Sequence, residues 1–432
     1  MISLQGLFPR PTRSLRAAIR FLTSTILTII LFEALYNTLY YPPSYRVTPP
    51  SVHDPPLEIV GKRPKIFIAS IHRNNAAILS SHWTNAVLNL IDYLGAENVY
   101  FSTYESGSID NTKEQLTYLD SQLEARNVAR TVILDPIDQL QEVAREVTSH
   151  EPGWIQTGRG KTGWEIRRIP YLANLRNKVL EPFYVSEKGE WDTILWLNDV
   201  VFTTSDILTL FDTRDGNWDA VCALDFADKQ GRKYYDTFAL RDASGEEAMK
   251  TWPFFIDDTS RAALKVNKPV PVRSCWNGIA AFKTEPFYDA GKRRLVYRGA
   301  DDGLASKHVE GSECCFVHAD LESYLAGEGR KRAGVWVNPN VRVGFNAEAY
   351  NSANPVTVGW PDATDRVIGT WKNRLVRWFG HSKRKVATEK VLARVREWMA
   401  EGKQEGEERR EVGDYCLVDE MQVLFEAGWM HV

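Results

Sequence analysis

The stretch Trp191-Asp-Thr-Ile-Leu-Trp-Leu-Asn-Asp-Val-Val-Phe202 decides the fold class of this chain. The residues from Ile194 to Leu197 form a nearly continuous apolar run, which predicts a strand that is covered on both faces. Asn198 and Asp199 follow where that strand ends. Because ligands of open α/β sheets bind beyond the carboxyl ends of the strands, this pair is a candidate site. A polar turn after a core strand is the simpler explanation.

The segments around this stretch alternate between strand and helix patterns. Short apolar runs predict strands at 66–70, 99–103, 131–134, 193–198, 220–224 and 278–282. Apolar residues at helical spacing predict helices at 79–94, 112–126, 169–181 and 386–400. Such alternation predicts an α/β fold with a Rossmann-like, mostly parallel sheet flanked by helices. We expect this catalytic domain at 65–350 and a helical extension at 351–432.

The amino-terminal segment does not have a globular pattern. A basic tail at 1–20 precedes a mostly apolar run at 21–41, which is long enough to span a bilayer once. The basic residues place the tail in the cytosol, and no small-residue cleavage site is evident, which favours an uncleaved signal anchor. Glu33 is unfavourable inside a span, so a cleaved or interfacial segment remains the alternative.

The proline-rich segment at 42–64 predicts an extended stem. Tail, anchor, stem and globular body together indicate a single-pass type II membrane protein of the secretory pathway, with its catalytic domain in the Golgi lumen. Five cysteines fit one or two disulfides and a leftover thiol. A net charge of −3 over 432 residues gives no indication of nucleic-acid binding.

The loop after the second predicted strand is rich in small and acidic residues. It contains Glu105, Ser106, Ser108 and Asp110. Carboxylates accept hydrogen bonds from ribose or base, and serines donate to phosphate, so these residues are candidates for nucleotide binding. Asp110 also lies where a helix cap is expected, and the two roles are compatible.

Two basic segments precede the 193–198 strand. Arg176 and Asn177 lie late in a predicted helix, where a guanidinium can pair bidentately with phosphate or simply favour the helix dipole. The glycine-rich segment 157–163 imitates phosphate-binding loops, but no strand precedes it. We therefore expect 157–163 to be a surface loop.

Two later segments carry further candidates. Trp276 and Asn277 precede a predicted strand, and Glu313 could orient an acceptor hydroxyl or transfer a proton. His318 is a candidate metal ligand, although a lone histidine is more often structural.

Two adjacent cysteines, Cys314 and Cys315, precede His318 in the chain. They lack the spacing of a zinc site, so a structural disulfide is the better interpretation. Cys275 is the suggested partner.

Together these segments resemble glycosyltransferases of the GT-A type. More closely, the chain resembles the fungal α-1,3-mannosyltransferase family that includes the cryptococcal mannosyltransferase and the capsule-associated proteins, glycosyltransferase family 69. The resemblance covers about 65–345. Its motifs are His72-Arg73-Asn74, Tyr104 to Thr112, Leu175-Arg176-Asn177, Leu197 to Phe202, Cys275 to Gly278 and Ser312 to Cys315.

The resemblance implies a retaining transfer of mannose from GDP-mannose to a hydroxyl of a mannose-containing glycan, assisted by Mn²⁺ or Mg²⁺. Asp199 becomes the catalytic and metal-binding candidate, together with Glu313 as a second catalytic candidate. The nucleotide-sugar site would contain His72, Arg73, Asn74, Glu105, Ser106, Ser108, Asp110, Arg176, Asn177 and Asn198. The acceptor site would contain Trp276, Asn277 and Glu313.

One feature departs from the usual acidic motif, which has a second aspartate two positions from the first. Asn198 and Val200 flank Asp199 instead, so this motif provides one carboxylate where the usual motif provides two. Asp225 and Asp236, on later segments, are further candidates. Two alternatives stay open: a transferase that uses another nucleotide sugar, and a non-catalytic lumenal glycan-binding or scaffold subunit.

Overall fold

The computed structural model describes residues 12–41, 63–137, 139–159, 161–276, 278–288, 294–329, 332–356, 359–426 and 428–432. Nine strands of this part form one sheet: β1 (Ile66–His72), β2 (Val99–Glu105), β3 (Ala129–Leu134), β6 (Thr193–Leu197), β7 (Ala220–Phe226), β8 (Arg241–Asp242), β9 (Val270–Ser274), β10 (Ile279–Lys283) and β12 (Val335–Gly344). The other strands pair two by two: β4 (Trp154–Gln156) with β5 (Trp164–Ile166), β11 (Glu310–Gly311) with β13 (Leu417–Val418), and β14 (Gln422–Phe425) with β15 (Gly428–His431).

The sheet has the order β3-β2-β1-β6-β10-β7-β12-β9-β8. Strands β3, β2, β1 and β6 run parallel, as do β7 and β12. Strand β10 runs antiparallel between β6 and β7, and β9 and β8 are antiparallel as well. The expected α/β fold is confirmed, but the sheet is mixed rather than mostly parallel. Because β10 is reversed, it starts beside the carboxyl end of β6, where Ile279 pairs with Leu197.

Helices surround the sheet and extend beyond it. They are α1 (Arg13–Tyr40), α2 (Ala76–Ile78), α3 (Thr84–Leu94), α4 (Thr112–Ala125), α5 (Gln139–Val143), α6 (Arg168–Val179), α7 (Glu181–Tyr184), α8 (Thr204–Phe211), α9 (Asp258–Lys265), α10 (Glu285–Tyr288), α11 (Asp302–Ala305), α12 (Glu313–Gly327), α13 (Ala347–Ala353), α14 (Ala363–Leu375) and α15 (His381–Glu405). Segment 351–432, expected to be helical, thus also contains β13, β14 and β15.

Both faces of the sheet are buried. Along β6, Ile194 and Trp196 face one apolar cluster, and Leu195 and Leu197 face another. The first cluster includes residues of α6, α7, α9 and α12, and the second includes residues of α3, α4 and α8. Burying one such side chain stabilises the fold by about 1.5–3 kcal/mol. The continuous apolar run of β6 is therefore explained by its place in the middle of three layers.

The structure contains two disulfides, one within the sheet region and one that joins the carboxyl-terminal segment to α12. Cys222 pairs with Cys275, and Cys315 pairs with Cys416, which leaves Cys314 as a buried free thiol. One or two disulfides and a leftover thiol were expected, and the structure has two disulfides; the suggested pairing of Cys275 with Cys314 or Cys315 is wrong, because Cys275 pairs with Cys222. Cys275 follows β9 and lies next to Cys222 of β7. Cys315 instead faces the small core under α15.

Helix α1 matches the predicted apolar span. Its residues Arg13–Tyr36 are long and apolar enough to cross a membrane, and within the described residues this holds for α1 alone. The stem at 42–64 and the tail at 1–20 lie mostly outside the described residues, and both remain predictions.

Candidate active site

The carboxyl end of β6 presents Asp199 to solvent. Asn75, three residues beyond the end of β1, donates a hydrogen bond of 2.8 Å from Nδ2 to Oδ2 of Asp199. The backbone N–H of Arg73 donates to Oδ1 of the same amide at 3.0 Å. Since a backbone N–H can only donate, this contact fixes which end of the Asn75 amide faces Asp199. Neighbouring parallel strands thus place a loop amide against the carboxylate.

The loops after β1 and β2 brace each other. The backbone N–H of Asn74 donates to Oγ of Ser108 at 2.9 Å, and Oδ1 of Asn74 accepts from the N–H of Ile109 at 3.0 Å. Asn74 has a φ of 55°, a left-handed conformation that asparagine tolerates better than most residues. The structure therefore brings the predicted 72–74 and 104–112 motifs together at one edge of the sheet.

The acidic residues of the second loop mainly support the backbone. Glu105 is fully buried, and its carboxylate accepts from the N–H of Ser108 and lies 3.6 Å from Nζ of Lys113. Asp110 accepts from the N–H of Ala76 at 3.1 Å and from that of Thr112 at 3.0 Å. These contacts fix the backbone of the loop after β2, which forms the rim of a cleft at the carboxyl ends of β1, β2 and β6.

Behind the rim, His72 is buried and Arg73 is only partly buried. Burial lowers the pKa of His72 to about 4, so the ring is neutral at physiological pH, with Nδ1 3.3 Å from Oδ1 of Asn75. Arg73 makes no ion pair with any described residue. The Nε atom of Arg73 is buried and has no hydrogen-bond partner among the described residues, which makes Arg73 a candidate for binding phosphate.

Asp225 lies near the end of β7 and is buried. Burial raises its pKa to about 8, and the charges of Asp199 and Asp236 add to the shift. Its Oδ1 has no hydrogen-bond partner among the described residues. Gly278 lets the backbone pass close to Asp225 and Val200. A Cβ at this position would lie 3.3 Å from Cβ of Asp225 and 3.0 Å from Cγ1 of Val200.

The segment after β7 adds Tyr235 and Asp236 to the same cleft. Tyr235 is 64% exposed, and burial of its hydroxyl together with the charges of Asp225 and Asp199 raises its pKa. Asp236 accepts from the N–H of Ala239 at 2.9 Å, and burial raises its pKa as well. The cleft is therefore strongly acidic.

Arg176 and Glu313 do not face the cleft as free groups. Both are buried, and Nε of Arg176 donates to Oε1 of Glu313 at 3.1 Å. The guanidinium also lies 4.2 Å from the ring centre of Trp276, which packs against Trp196 and Tyr297. Arg176, Trp276 and Glu313 were expected to line the phosphate and acceptor sites, but the structure encloses all three side chains in protein.

Three other predicted residues have backbone or structural contacts. Asn177 fixes the 294–300 segment through two hydrogen bonds to the backbone of Tyr297. Its Nδ2 donates to the carbonyl at 2.8 Å, and its Oδ1 accepts from the N–H at 2.9 Å. The backbone of Asn198 accepts from Nε1 of Trp83 at 2.8 Å, which fixes the turn before Asp199. Ser106 hydrogen bonds through Oγ to the hydroxyl of Tyr171 at 3.0 Å. Asn277 lies outside the described residues.

His318 is placed in the core. It is fully buried on α12, where Nε2 donates to the carbonyl of Cys275 at 2.7 Å. Burial lowers its pKa to about 4. The other nearby ligand atoms, the sulfurs of Cys222 and Cys275, are joined in a disulfide. The structure gives His318 a structural contact rather than a place beside Asp199, so we do not retain it as a metal ligand.

The sequence reading missed the amide of Asn75 and the exposed ring of Tyr235. Asn75 immediately follows the His72-Arg73-Asn74 motif, so its position was a usable signal. Tyr235 had none, because only the return of the chain after β7 brings it to the cleft. Asp225 was identified as a candidate, but its distance from Asp199 in sequence hides their proximity across β10.

Comparison with known proteins assigns the family. The family model described as cryptococcal mannosyltransferase 1 matches residues 65–320, more than half of the 432 residues. No curated protein sequence matches the chain.

Solved structures show weaker similarity. A mannosyltransferase from Pyrobaculum calidifontis, in complex with GDP-Man and Mn²⁺, is 14% identical, with 90% of this chain and 86% of that chain covered and a TM-score of 0.36. TarS from S. aureus is 10% identical, with 72% and 43% covered and a TM-score of 0.34. Glucosyl-3-phosphoglycerate synthase from Mycobacterium tuberculosis, in complex with Mn²⁺, UDP and phosphoglyceric acid, is 13% identical, with 76% and 84% covered and a TM-score of 0.31.

At these TM-scores the three structures say nothing about the donor or metal of this chain. The family match is stronger evidence than these structures, because it spans the loops after β1 and β2, the end of β6, and the start of α12. The chain therefore belongs to the cryptococcal mannosyltransferase 1 family and is a glycosyltransferase built on a mixed α/β sheet.

Proposed function

We propose that the protein transfers mannose from GDP-mannose to a hydroxyl of a mannose-containing glycan, with retention and an α-1,3 linkage, assisted by Mn²⁺ or Mg²⁺. The observation that carries the proposal is the pair of carboxylates at the strand ends. Asp199 is exposed and held by Asn75, and Asp225 lies close enough that their charges interact. The match to a mannosyltransferase family supports mannose as the transferred sugar, and the acidic pair is a suitable binding site for a cation.

The residues of the cleft suit a divalent cation. Asp225 is buried, lacks a partner for Oδ1 and has a raised pKa, all of which indicate a missing positive charge. Hard divalent cations prefer carboxylate oxygens. Asp199 and Asp225 would hold the ion, which when bound supplies charge that stabilises the departing diphosphate. Asp225 thereby takes the role of the carboxylate that is missing two positions from Asp199.

Arg73 is the best placed cation for the diphosphate. It follows β1, and it has no ion pair with any described residue. An arginine matches the fork geometry of phosphate oxygens. Arg176, in contrast, is already paired with Glu313 and serves to position the 294–300 and 312–314 segments.

A cavity of about 280 Å³ beside the two loops suits the guanine base. Trp154 and Ile166 give it apolar walls, and Asp135 at the end of β3 gives it a carboxylate. Tyr171 of the same cavity hydrogen bonds to Ser106 of the β2 loop, so the cavity adjoins the proposed diphosphate site. A carboxylate accepts from the N1–H and 2-amino groups of guanine, which favours GDP over UDP.

The acceptor sugar would lie on the open side of the cleft, against Tyr235. An exposed aromatic ring offers a sugar an apolar face beside the acidic pair. In the transfer, the bond from the anomeric carbon to the β-phosphate oxygen breaks and a bond to the acceptor oxygen forms. The acceptor proton passes to the departing phosphate. Glu313 touches neither sugar and acts as a positioning residue.

The proposed location is the Golgi membrane, with α1 as a type II signal anchor and the catalytic domain in the lumen. The apolar run of α1 and the basic tail before it support this orientation.

The proposal is tested with the full chain in detergent, Mn²⁺ and an α-mannoside acceptor. Each donor, GDP-mannose, UDP-glucose and UDP-xylose, is offered in turn, and the product linkage is determined by NMR. We expect transfer from GDP-mannose alone, with an α-1,3 linkage. Transfer from a UDP-sugar only, or a β-linked product, would overturn the donor or the stereochemical assignment.

A further inference from the structure

Helices α14 and α15 carry a surface that the catalytic site does not use. A π-helical turn, Val376–Gly380, joins α14 to α15, and the residues at both junctions keep helical φ and ψ angles. The result is one helical run from 363 to 405. Its far end packs on the body through Val391, Val395 and Trp398.

The first part of this run is fixed by one face. Nδ2 of Asn373 donates to the carbonyl of Phe255 at 2.9 Å. A Cβ at Gly369 would lie 1.9 Å from the carbonyl oxygen of Trp252, so only glycine permits this close approach. The opposite face of the helix is therefore directed away from the body.

That outward face is apolar. Its exposed side chains are Ile368, Leu375, Trp378, Phe379 and Val386, which are between 48% and 71% exposed. Positions 368, 375, 379 and 386 recur at the spacing of one helix face. In water, an uncovered stripe of this kind marks a binding surface.

The helix lies against α1, the proposed membrane anchor. Arg374 forms an ion pair with Glu33, and Nη1 of Arg366 donates to the carbonyl of Tyr41. The two helices are thus antiparallel over the last turns of α1. This pairing also removes the difficulty of an unpaired Glu33 near the end of an apolar span.

The charged residues within this segment of the sequence are all basic. Between 366 and 388 the sequence has seven lysines and arginines and no aspartate or glutamate. Basic residues mixed with Trp and Phe on a helix are typical of segments that lie in the headgroup region of a membrane.

We propose that residues 368–386 form a second membrane contact, an interfacial helix that inserts its apolar stripe into the leaflet where α1 ends and places its basic residues against the phosphate groups of the lipid headgroups. The occupant of the stripe is the lipid bilayer. Continuity with α1 and the one-sided charge favour lipid over a second copy of the chain. The inference builds on the proposed anchor.

The test uses the full chain in liposomes of phosphatidylcholine and phosphatidylserine. Cys314, the free thiol among the five cysteines, is buried, so an introduced cysteine can be labelled selectively with an environment-sensitive fluorophore. The variants are Phe379→Cys in the stripe, Ile26→Cys in α1 and Val185→Cys, which is 86% exposed on the body. Each label is challenged with lipids that carry a doxyl quencher and with aqueous iodide.

We expect lipid quenching at Phe379→Cys of at least half that at Ile26→Cys, and none at Val185→Cys. The Phe379→Cys signal should fall when phosphatidylserine is omitted. Iodide quenching at Phe379→Cys equal to that at Val185→Cys would overturn the inference. Protection at Phe379→Cys from both quenchers would overturn it too and would indicate a protein occupant. Absence of lipid quenching at Ile26→Cys would refute the anchor alone. The comparison of Phe379→Cys with Val185→Cys would then decide whether the stripe contacts lipid.

Discussion

Asn75 holds Asp199 through a 2.8 Å hydrogen bond between Nδ2 and Oδ2. The same amide accepts from the backbone N–H of Arg73 at 3.0 Å and lies 3.3 Å from Nδ1 of neutral His72. The end of β1 therefore sets the orientation of the carboxylate at the end of β6. This contact ties a predicted nucleotide-binding motif to the predicted metal ligand.

Replacing Asn75 by alanine should weaken activity by raising the metal concentration needed for half-maximal rate. Loss of a residue that orients a metal ligand typically costs about 10- to 100-fold in affinity or activity. The measurement is a Mn²⁺ titration of mannosyl transfer. Asn351→Ala, an exposed asparagine on α13, serves as the control and should behave as wild type. An unchanged titration curve for Asn75→Ala would contradict the role of this contact.

Asp225→Asn should lower transfer by at least about 100-fold while leaving the protein as stable as before, or more stable. The folded-state pKa of Asp225 is raised to about 8 from an ordinary value near 3.8, so its stability contribution is lost as the pH rises toward 8. A neutral amide removes that penalty, together with the ligand charge. Activity and chemical unfolding at pH 7.5 are compared, and wild-type turnover in the variant would refute Asp225 as the second carboxylate.

Glu313→Gln should destabilise the protein more than any exposed ion-pair variant. Arg176 would keep its buried charge without a carboxylate, which costs about 3–5 kcal/mol in such cases. The free energy of unfolding is measured beside Asp92→Asn, which breaks the exposed Arg126–Asp92 pair and should cost about 0–1 kcal/mol. Equal losses for the two variants would show that the Arg176–Glu313 pair is not structurally important.

His318 should make stability fall with pH below 6.5. Its folded-state pKa is lowered to about 4, so the unfolded chain takes up a proton first as the pH falls from 6.5 toward 4. The slope from one such group reaches about 1.4 kcal/mol per pH unit. His318→Gln keeps a donor for the carbonyl of Cys275 and should flatten the slope. His82→Gln, at an exposed histidine, should leave it unchanged; equal slopes for wild type and His318→Gln would be the contrary result.

Asp135→Asn should raise the KM for GDP-mannose with little change in kcat. A hydrogen bond to a charged group is worth about 1.5–3 kcal/mol, which corresponds to roughly 10- to 150-fold in binding. Glu142→Gln removes another carboxylate of the same cavity and should have little effect, because Glu142 already forms an ion pair with Arg145 at 3.5 Å. Similar KM values for wild type and Asp135→Asn would exclude this cavity as the base site.

The elements of the fold were predictable because each has a local signal. The continuous apolar run of β6 and the helical spacing from 79 to 94 each depend on neighbours in sequence. The antiparallel direction of β10 was not predictable, since a short apolar run such as 279–283 reads the same in either direction. That one reversal turns the expected parallel sheet into a mixed one.

The placement of the candidate residues could be predicted where a motif lies at a strand end, as for Asp199 and the loops after β1 and β2. Their exposure could not be predicted where a residue type is compatible with two environments. Arg176, Trp276 and Glu313 have the chemistry of ligands, but the aromatic cluster around them encloses all three. Burial of a charged pair depends on what packs over it from distant segments, and that information is not local.

The most direct test of the central claim is metal-dependent release of GDP from GDP-mannose by wild type and Asp199→Asn, with a mannoside acceptor and an EDTA control. The account predicts release with Mn²⁺ in the wild type, none with EDTA, and a loss of at least about 100-fold in Asp199→Asn at unchanged folding. Equal, EDTA-insensitive release by both proteins would contradict it.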